Sequence, residues 1–199
     1  MIGTAVNKNL SPRLLFARLL PSLLMLTGTA VLLGACGYRP LSPYNTQQDL
    51  PEAVRVPVGH QAVLEARANG NLVYECQAIK RSPFEYAWLL KSPGVELTDT
   101  YGNRIMYSPG PRASWVHRDG SRTSTREFVD LPHGSFNLPL QRTKAEPSPV
   151  PGALQNISYV QRLRTVGGMV AIRPCSGAQL GMRVSVPYEA DYIFWRAAA

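Results

Sequence analysis

Charge is scarce in this sequence. Asp, Glu, Lys and Arg make up 17% of the residues against 45% hydrophobic ones, a balance that excludes wholesale disorder and predicts a packed core. There is no GxSxG elbow, no Walker loop and no GxGxxG, so hydrolase elbows and nucleotide sites lack their usual carriers. The three histidines, His60, His117 and His133, lie far apart with no HxH or HxxxH spacing, and neither a metal nor another cofactor is expected. The basic residues form no stripe; Arg118, Arg122 and Arg126 are the densest stretch, and nucleic acid is excluded as a partner on that pattern.

Acid is also missing from the first 35 residues, which carry Lys8, Arg13 and Arg18. Residues 19–35 then read LLPSLLMLTGTAVLLGA, an uncharged apolar run ending in small residues, which is a signal-peptide profile. A permanent membrane helix is the competing reading, weakened by Pro21 and by the Thr27, Gly28, Thr29 stretch. Leu33, Gly34, Ala35 and Cys36 resemble the lipobox of bacterial lipoproteins. That resemblance implies cleavage before Cys36 and acylation of its thiol and new amino group, and several acyl chains anchor far better than one. Gly37 stands where an aspartate would resemble the signal that retains lipoproteins in the inner membrane, so the outer membrane of a Gram-negative bacterium is the expected address. Without the leader the formal charge falls from +8 to +5. Residues 36–58, interrupted by Pro40, Pro43, Pro51 and Pro57, read as the lipidated cysteine and its tether.

Three cysteines leave an odd one in an oxidising compartment, and acylation of Cys36 removes the oddity. Cys76 and Cys175 are then expected to pair. Redox or nucleophilic use is the alternative, although no CxxC occurs.

From residue 59 onward the pattern has period two. Ala62, Leu64, Ala66 and Ala68 alternate with polar neighbours, then Leu72, Tyr74, Cys76 and Ala78 do so after Asn69-Gly70, which predicts a hairpin turning at that dipeptide. A second hairpin is predicted at Asp119-Gly120, between 113–118 and 121–128, with Trp115 and His117 on one face. Shorter strands are expected at 86–91 and 104–107, separated by Ser92-Pro93-Gly94 and a turn over 99–103. Residues 130–153 hold five prolines and read as a long surface connection unable to supply a central strand. Strands at 157–164, 184–186 and 192–195 close the chain. The expected fold is all-β, a single sandwich or barrel-like domain of short antiparallel strands spanning 59–199.

Particular motifs narrow this further. Val56-Pro57-Val58-Gly59-His60, Tyr74-Glu75-Cys76, Gly110-Pro111 with Trp115 and Asp119-Gly120-Ser121, Gln161-Arg162 with Thr165-Val166-Gly167-Gly168, Pro174-Cys175 and residues 186–192 (VPYEADY) together resemble the family catalogued as domain of unknown function 3455, over about 56–195. The resemblance implies secretion, supports a Cys76–Cys175 bridge and supplies no activity. Family members often carry a histidine before the central tyrosine, where this chain has Met106 before Tyr107; any role of that histidine would be absent.

The expected function is that of a cell-envelope lipoprotein with a non-catalytic β domain, held to the membrane by the acyl chains on Cys36 and binding a ligand or an envelope protein. Tyr107, Trp115, Gln161, Arg162, Thr165, Gly167 and Gly168 are the candidate ligand-binding residues. The glycine pair can line a cleft or make a turn, and the aromatic residues can stack sugars or fill a core. The alternative is a secreted hydrolase of carbohydrate or another wall polymer, with Glu75 and Asp191 as its two acids.

Overall fold

A computed structural model describes residues 47–198, apart from 81, 93, 94, 110–112, 147, 149, 172 and 173. The leader, Cys36, the Pro93-Gly94 turn and the Gly110-Pro111 motif therefore lie outside the described residues. Nine strands follow one another: β1 (His60–Ile79), β2 (Ser82–Ser92), β3 (Val95–Thr98), β4 (Arg104–Tyr107), β5 (Ser114–His117), β6 (Arg122–Leu131), β7 (Leu140–Ala145), β8 (Tyr159–Gly167) and β9 (Arg183–Ala197). All pair antiparallel in one sheet, and β9 returns to pair with β1 from His60↔Ala197 to Glu75↔Arg183, closing the sheet into a ring. β2 pairs with β1 alone, so the ring itself has eight strands and β2 extends from it as a ribbon. An eight-stranded barrel is just wide enough for side chains to fill it or for one small ligand to enter.

The fold departs from the sequence pattern in three places. Asn69-Gly70 makes no turn: β1 runs straight through it, with Gly70 opposite Tyr188. The alternation keeps its phase across the dipeptide, Ala66, Ala68, Leu72 and Cys76 all being buried, and β9 pairs continuously along both halves. One side of β1 meanwhile changes neighbour, from β3 at Arg67–Gly70 to β2 at Val73–Ile79. The proline-rich stretch does supply a central strand. Its prolines flank β7 rather than enter it, and Leu140–Ala145 pairs with β6 on one side and β8 on the other. Finally, 184–186 and 192–195 are parts of one strand, β9, which carries Pro187 in its middle and uses that residue's carbonyl to accept from Gly168 N at 2.9 Å. The hairpin at Asp119-Gly120 is present, with Gly120 at φ 87°, where glycine is favoured.

β9 separates two cores. Tyr188, Ala190, Tyr192 and Phe194 point into the barrel, where Phe194 and Trp115 meet edge to face at 5.7 Å among Leu97, Met106 and Val160. Met106 is buried in this interior. Ile193 and Trp195 point outward with Leu140 and Leu163, and a strap over residues 47–56 covers them. Val54 ends a single 3-10 turn in the strap (Glu52–Val54) and is fully buried. Burying a side chain of this size contributes about 1.5–3 kcal/mol, which adds to the packing of Val56 and Leu50 on the barrel wall.

Cys76 and Cys175 form the expected disulfide, with Cα atoms 6.0 Å apart. It ties β1, at the base of the ribbon, to the segment between β8 and β9.

Candidate functional site

Inward-facing residues of the eight-stranded ring leave a cavity of about 480 Å³, within the range of about 300–1,000 Å³ common for small-ligand sites. Leu72, Val95, Leu97, Ala113 and Trp115 line one side of it, and Phe128, Leu138, Gln141, Arg162, Tyr188 and Tyr192 line another. The register explains how distant residues meet there. Asp130 on β6 stands opposite Gln141 on β7, Gln141 opposite Arg162 on β8, and Arg162 opposite Tyr192 on β9. Opposed residues of antiparallel neighbours share a face, so the four form a polar ladder along the inner wall.

Arg162 is the charged centre of that ladder. Its side chain is 13% exposed, and its Nε donates to Pro139 O at 3.1 Å. Its Nη2 lies 4.0 Å from Asp130 Oδ1, a carboxylate that is half exposed and already accepts from Gln141 Nε2 at 2.7 Å. Burial works against the guanidinium charge, but the hydroxyls of Tyr192 and Tyr188 and the Asp130 carboxylate outweigh it and hold Arg162 protonated. Tyr188 and Tyr192 share a hydroxyl hydrogen bond of 3.1 Å. Burial, then the neighbouring Tyr192, push the Tyr188 hydroxyl well above the ordinary tyrosine range, so it stays neutral and able to donate.

Of the expected ligand residues, Arg162 and Trp115 come together in this cavity. Tyr107 is half exposed on β4 and does not line it. Gln161, next to Arg162, points the opposite way: it is fully buried beneath the strap, donates to Val54 O at 2.5 Å and to Gln47 Oε1 at 2.9 Å, and accepts from Trp195 Nε1 at 2.8 Å. Thr165 donates to Leu138 O at 2.6 Å. Gly167 and Gly168 have φ of 69° and 90° and serve close packing, since a Cβ on Gly167 would stand 2.3 Å from Pro187 O and one on Gly168 2.8 Å from Leu138 Cγ. The Gly168 carbonyl also accepts from Tyr74 Oη at 2.6 Å. Sequence reasoning missed Gln141, Tyr188 and Tyr192. The signal for the tyrosines was present, as Tyr188, Ala190 and Tyr192 share one face of a strand once Pro187 is admitted within it.

The two acids expected for hydrolysis are not a pair. Glu75 stands opposite Arg183 and Asp191 opposite Arg67, eight positions apart along the same strands, about 26 Å at ordinary strand rise. Glycoside hydrolysis needs its carboxylates within about 5–10 Å. Glu75 instead accepts from Gln77 Nε2 at 2.7 Å and Arg183 Nε at 2.8 Å, which hold it below the usual carboxylate range. Asp191 meets Arg164 on the outer wall, because a β-bulge between Leu163 and Val166 puts Arg164 at φ 47° and turns it toward β9. Desolvation, followed by the adjacent Asp191 charge, raises the carboxyl of nearby Glu65. His60 Nδ1 lies 3.0 Å from Pro57 O and its ring packs on Tyr159, while His117 Nδ1 lies 3.0 Å from Asp119 Oδ1. Among the described residues no group of three or more His, Cys, Asp or Glu is placed to hold a metal.

Ring closure and an interior cavity with one polar wall define a small antiparallel β-barrel protein of ligand-holding size. The chain belongs to the family described as protein of unknown function (DUF3455), whose model matches residues 57–196. Comparison with curated proteins and with solved structures yields no match.

Proposed function

We propose that this protein is an exported lipoprotein of the bacterial envelope whose barrel binds a small ligand without transforming it. The observation that carries the binding reading is the cavity of about 480 Å³, with a buried arginine on one wall and apolar side chains on the other. An apolar pocket with a few convergent polar groups is what small-molecule sites share. The Glu75–Asp191 separation speaks against these two acids acting as a glycosidase pair. The address rests on the leader and Cys36: an acylated cysteine ahead of the strap would hold the barrel at the membrane.

The test is native mass spectrometry of full-length protein extracted from the envelope. Wild type is expected to carry a small-molecule adduct that Ala113→Trp, which fills the cavity, loses while keeping its Cys76–Cys175 bridge. A wild type without adduct, or an adduct that persists in the variant, refutes the binding reading. For the address, Cys36→Ala is expected to lose labelling by a palmitate analogue, and unchanged labelling refutes it.

A further inference from the structure

The charged and amide groups of the cavity stand on one wall, and Ser108 and Thr125 are the polar residues of its lining elsewhere. Gln141, Arg162 and Tyr192 follow one another across β7, β8 and β9, with Asp130 of β6 next in register, whereas Leu72, Val95, Leu97, Ala113 and Trp115 line the same space from β1, β3 and β5 and the approach to β5. A molecule that fills it meets hydrogen-bonding groups along one edge and hydrocarbon along the other. Trp115 is wedged against both Tyr192 and Phe194, each with ring centroids 5.7 Å away, so the apolar side offers a fixed shape.

The charges decide the head group. A guanidinium has five N–H donors in a planar fork, and the protein engages Arg162 through Pro139 O, the Tyr192 and Tyr188 hydroxyls and a carboxylate at the limit of ion pairing. Asp130 is half exposed, where water screens it, while Arg162 is enclosed. An anion arriving from the cavity therefore meets a guanidinium whose fork is not filled by its bonds within the chain, beside the paired Tyr188 and Tyr192 hydroxyls, which keep one proton between them to donate. A planar carboxylate matches the fork with two parallel bonds. A doubly charged phosphate monoester would leave excess negative charge in a buried site, since one cation compensates one charge.

Resting on the cavity reading above, we propose that the ligand is a monoanionic amphipath, a carboxylate on a long aliphatic chain, with its head on Arg162, Tyr188 and Tyr192 and its chain along the Trp115 wall. Such a ligand matches both walls at once. A neutral amphipath would leave the arginine with only the half-exposed Asp130 carboxylate, 4.0 Å away, to balance it, and a compact polar anion would leave the hydrocarbon wall wet.

The experiment is photolabelling of the full-length protein in its membrane with three diazirine probes of the same aliphatic chain, bearing a carboxylate, an alcohol or a phosphate monoester. The cross-linked peptides are located by mass spectrometry. The carboxylate probe is expected to label the peptides carrying Leu97 and Trp115 at least about tenfold more than the alcohol, the ratio expected of hydrogen bonds to a charged group. Arg162→Gln is expected to reduce carboxylate labelling to the alcohol's level while alcohol labelling stays within about twofold. The head-group comparison on wild type stands even if that variant fails to fold. Equal labelling by acid and alcohol overturns the anion assignment and leaves the cavity reading intact. Labelling by the phosphate above the carboxylate overturns the carboxylate, and no label on the cavity peptides from any probe overturns the binding reading and this inference together.

Discussion

Gln161 and Arg162 are adjacent in sequence and lie on opposite faces of β8. Both are polar and both are enclosed, yet their surroundings differ in kind. Outside the barrel, Gln161 uses its amide on Val54, Gln47 and Trp195, in a network with apolar residues around it. Inside, Arg162 lines a cavity, and its partners, Pro139 O, the Tyr188 and Tyr192 hydroxyls and Asp130 at 4.0 Å, leave part of its five-donor fork to that space. A buried polar group whose bonds all close within the chain supports structure. One that keeps donors aimed at open space is arranged for something that arrives. Burial alone therefore does not separate a structural polar residue from a binding one; the closure of its hydrogen bonds does.

That contrast can be broken by experiment. The largest effect is expected from Gln161→Leu, which leaves the Val54 carbonyl, the Gln47 side chain and the Trp195 indole N–H without their partner. Its cost is about 3 kcal/mol, read by urea denaturation, with photolabelling of the cavity unchanged. A loss below 1 kcal/mol, or a loss of labelling, would show that the outer network is not structural.

Glu65 on the outer wall tests the intermediate case, since its Oε1 is enclosed without a hydrogen-bond partner. Desolvation, then Asp191, raise its folded pKa above the unfolded value, so the folded state binds the proton more tightly and stability falls as pH rises from the ordinary value near 4.5 through the raised one. Glu65→Gln is expected to flatten that part of the profile and to gain at most about 1 kcal/mol at neutral pH, because the site is partly solvated. A profile unchanged by the substitution would argue against it. The smallest effect on stability is expected from Arg162→Leu, within about 0.5 kcal/mol. An apolar replacement of a poorly compensated buried charge is commonly neutral, and Asp130 keeps its water. A loss as large as that of Gln161→Leu would erase the difference between the two faces.

Local signals were legible where chemistry is local. β4 at Arg104–Tyr107 and the Asp119-Gly120 turn each follow from a few neighbouring residues. Asn69-Gly70 carries a turn signal, but the alternation keeps its phase across it, and β9 pairs past the dipeptide and overrides the turn preference. The stretch 130–153 misled because its prolines were weighed by number and not by position, and Leu140–Ala145 contains none. Arg162 was a legible candidate as a charged residue on an alternating strand. Its ladder was not, since Asp130, Gln141 and Tyr192 are brought beside it by registers across three strand pairs, and only closure of the ring sets which of those faces is the inside.

The strap has a mechanical consequence. A pull on the chain ahead of residue 47 reaches the barrel first where Gln161 Nε2 donates to Gln47 Oε1, then where it donates to Val54 O and where Arg142 Nη1 donates to Arg55 O. These bonds lie in series and open one after another, whereas the β1–β9 ladder shares any load across many bonds at once. Tension would peel the strap from Ile193 and Trp195 before it parted the ring, so the barrel can be tugged by its leading segment and keep its interior closed.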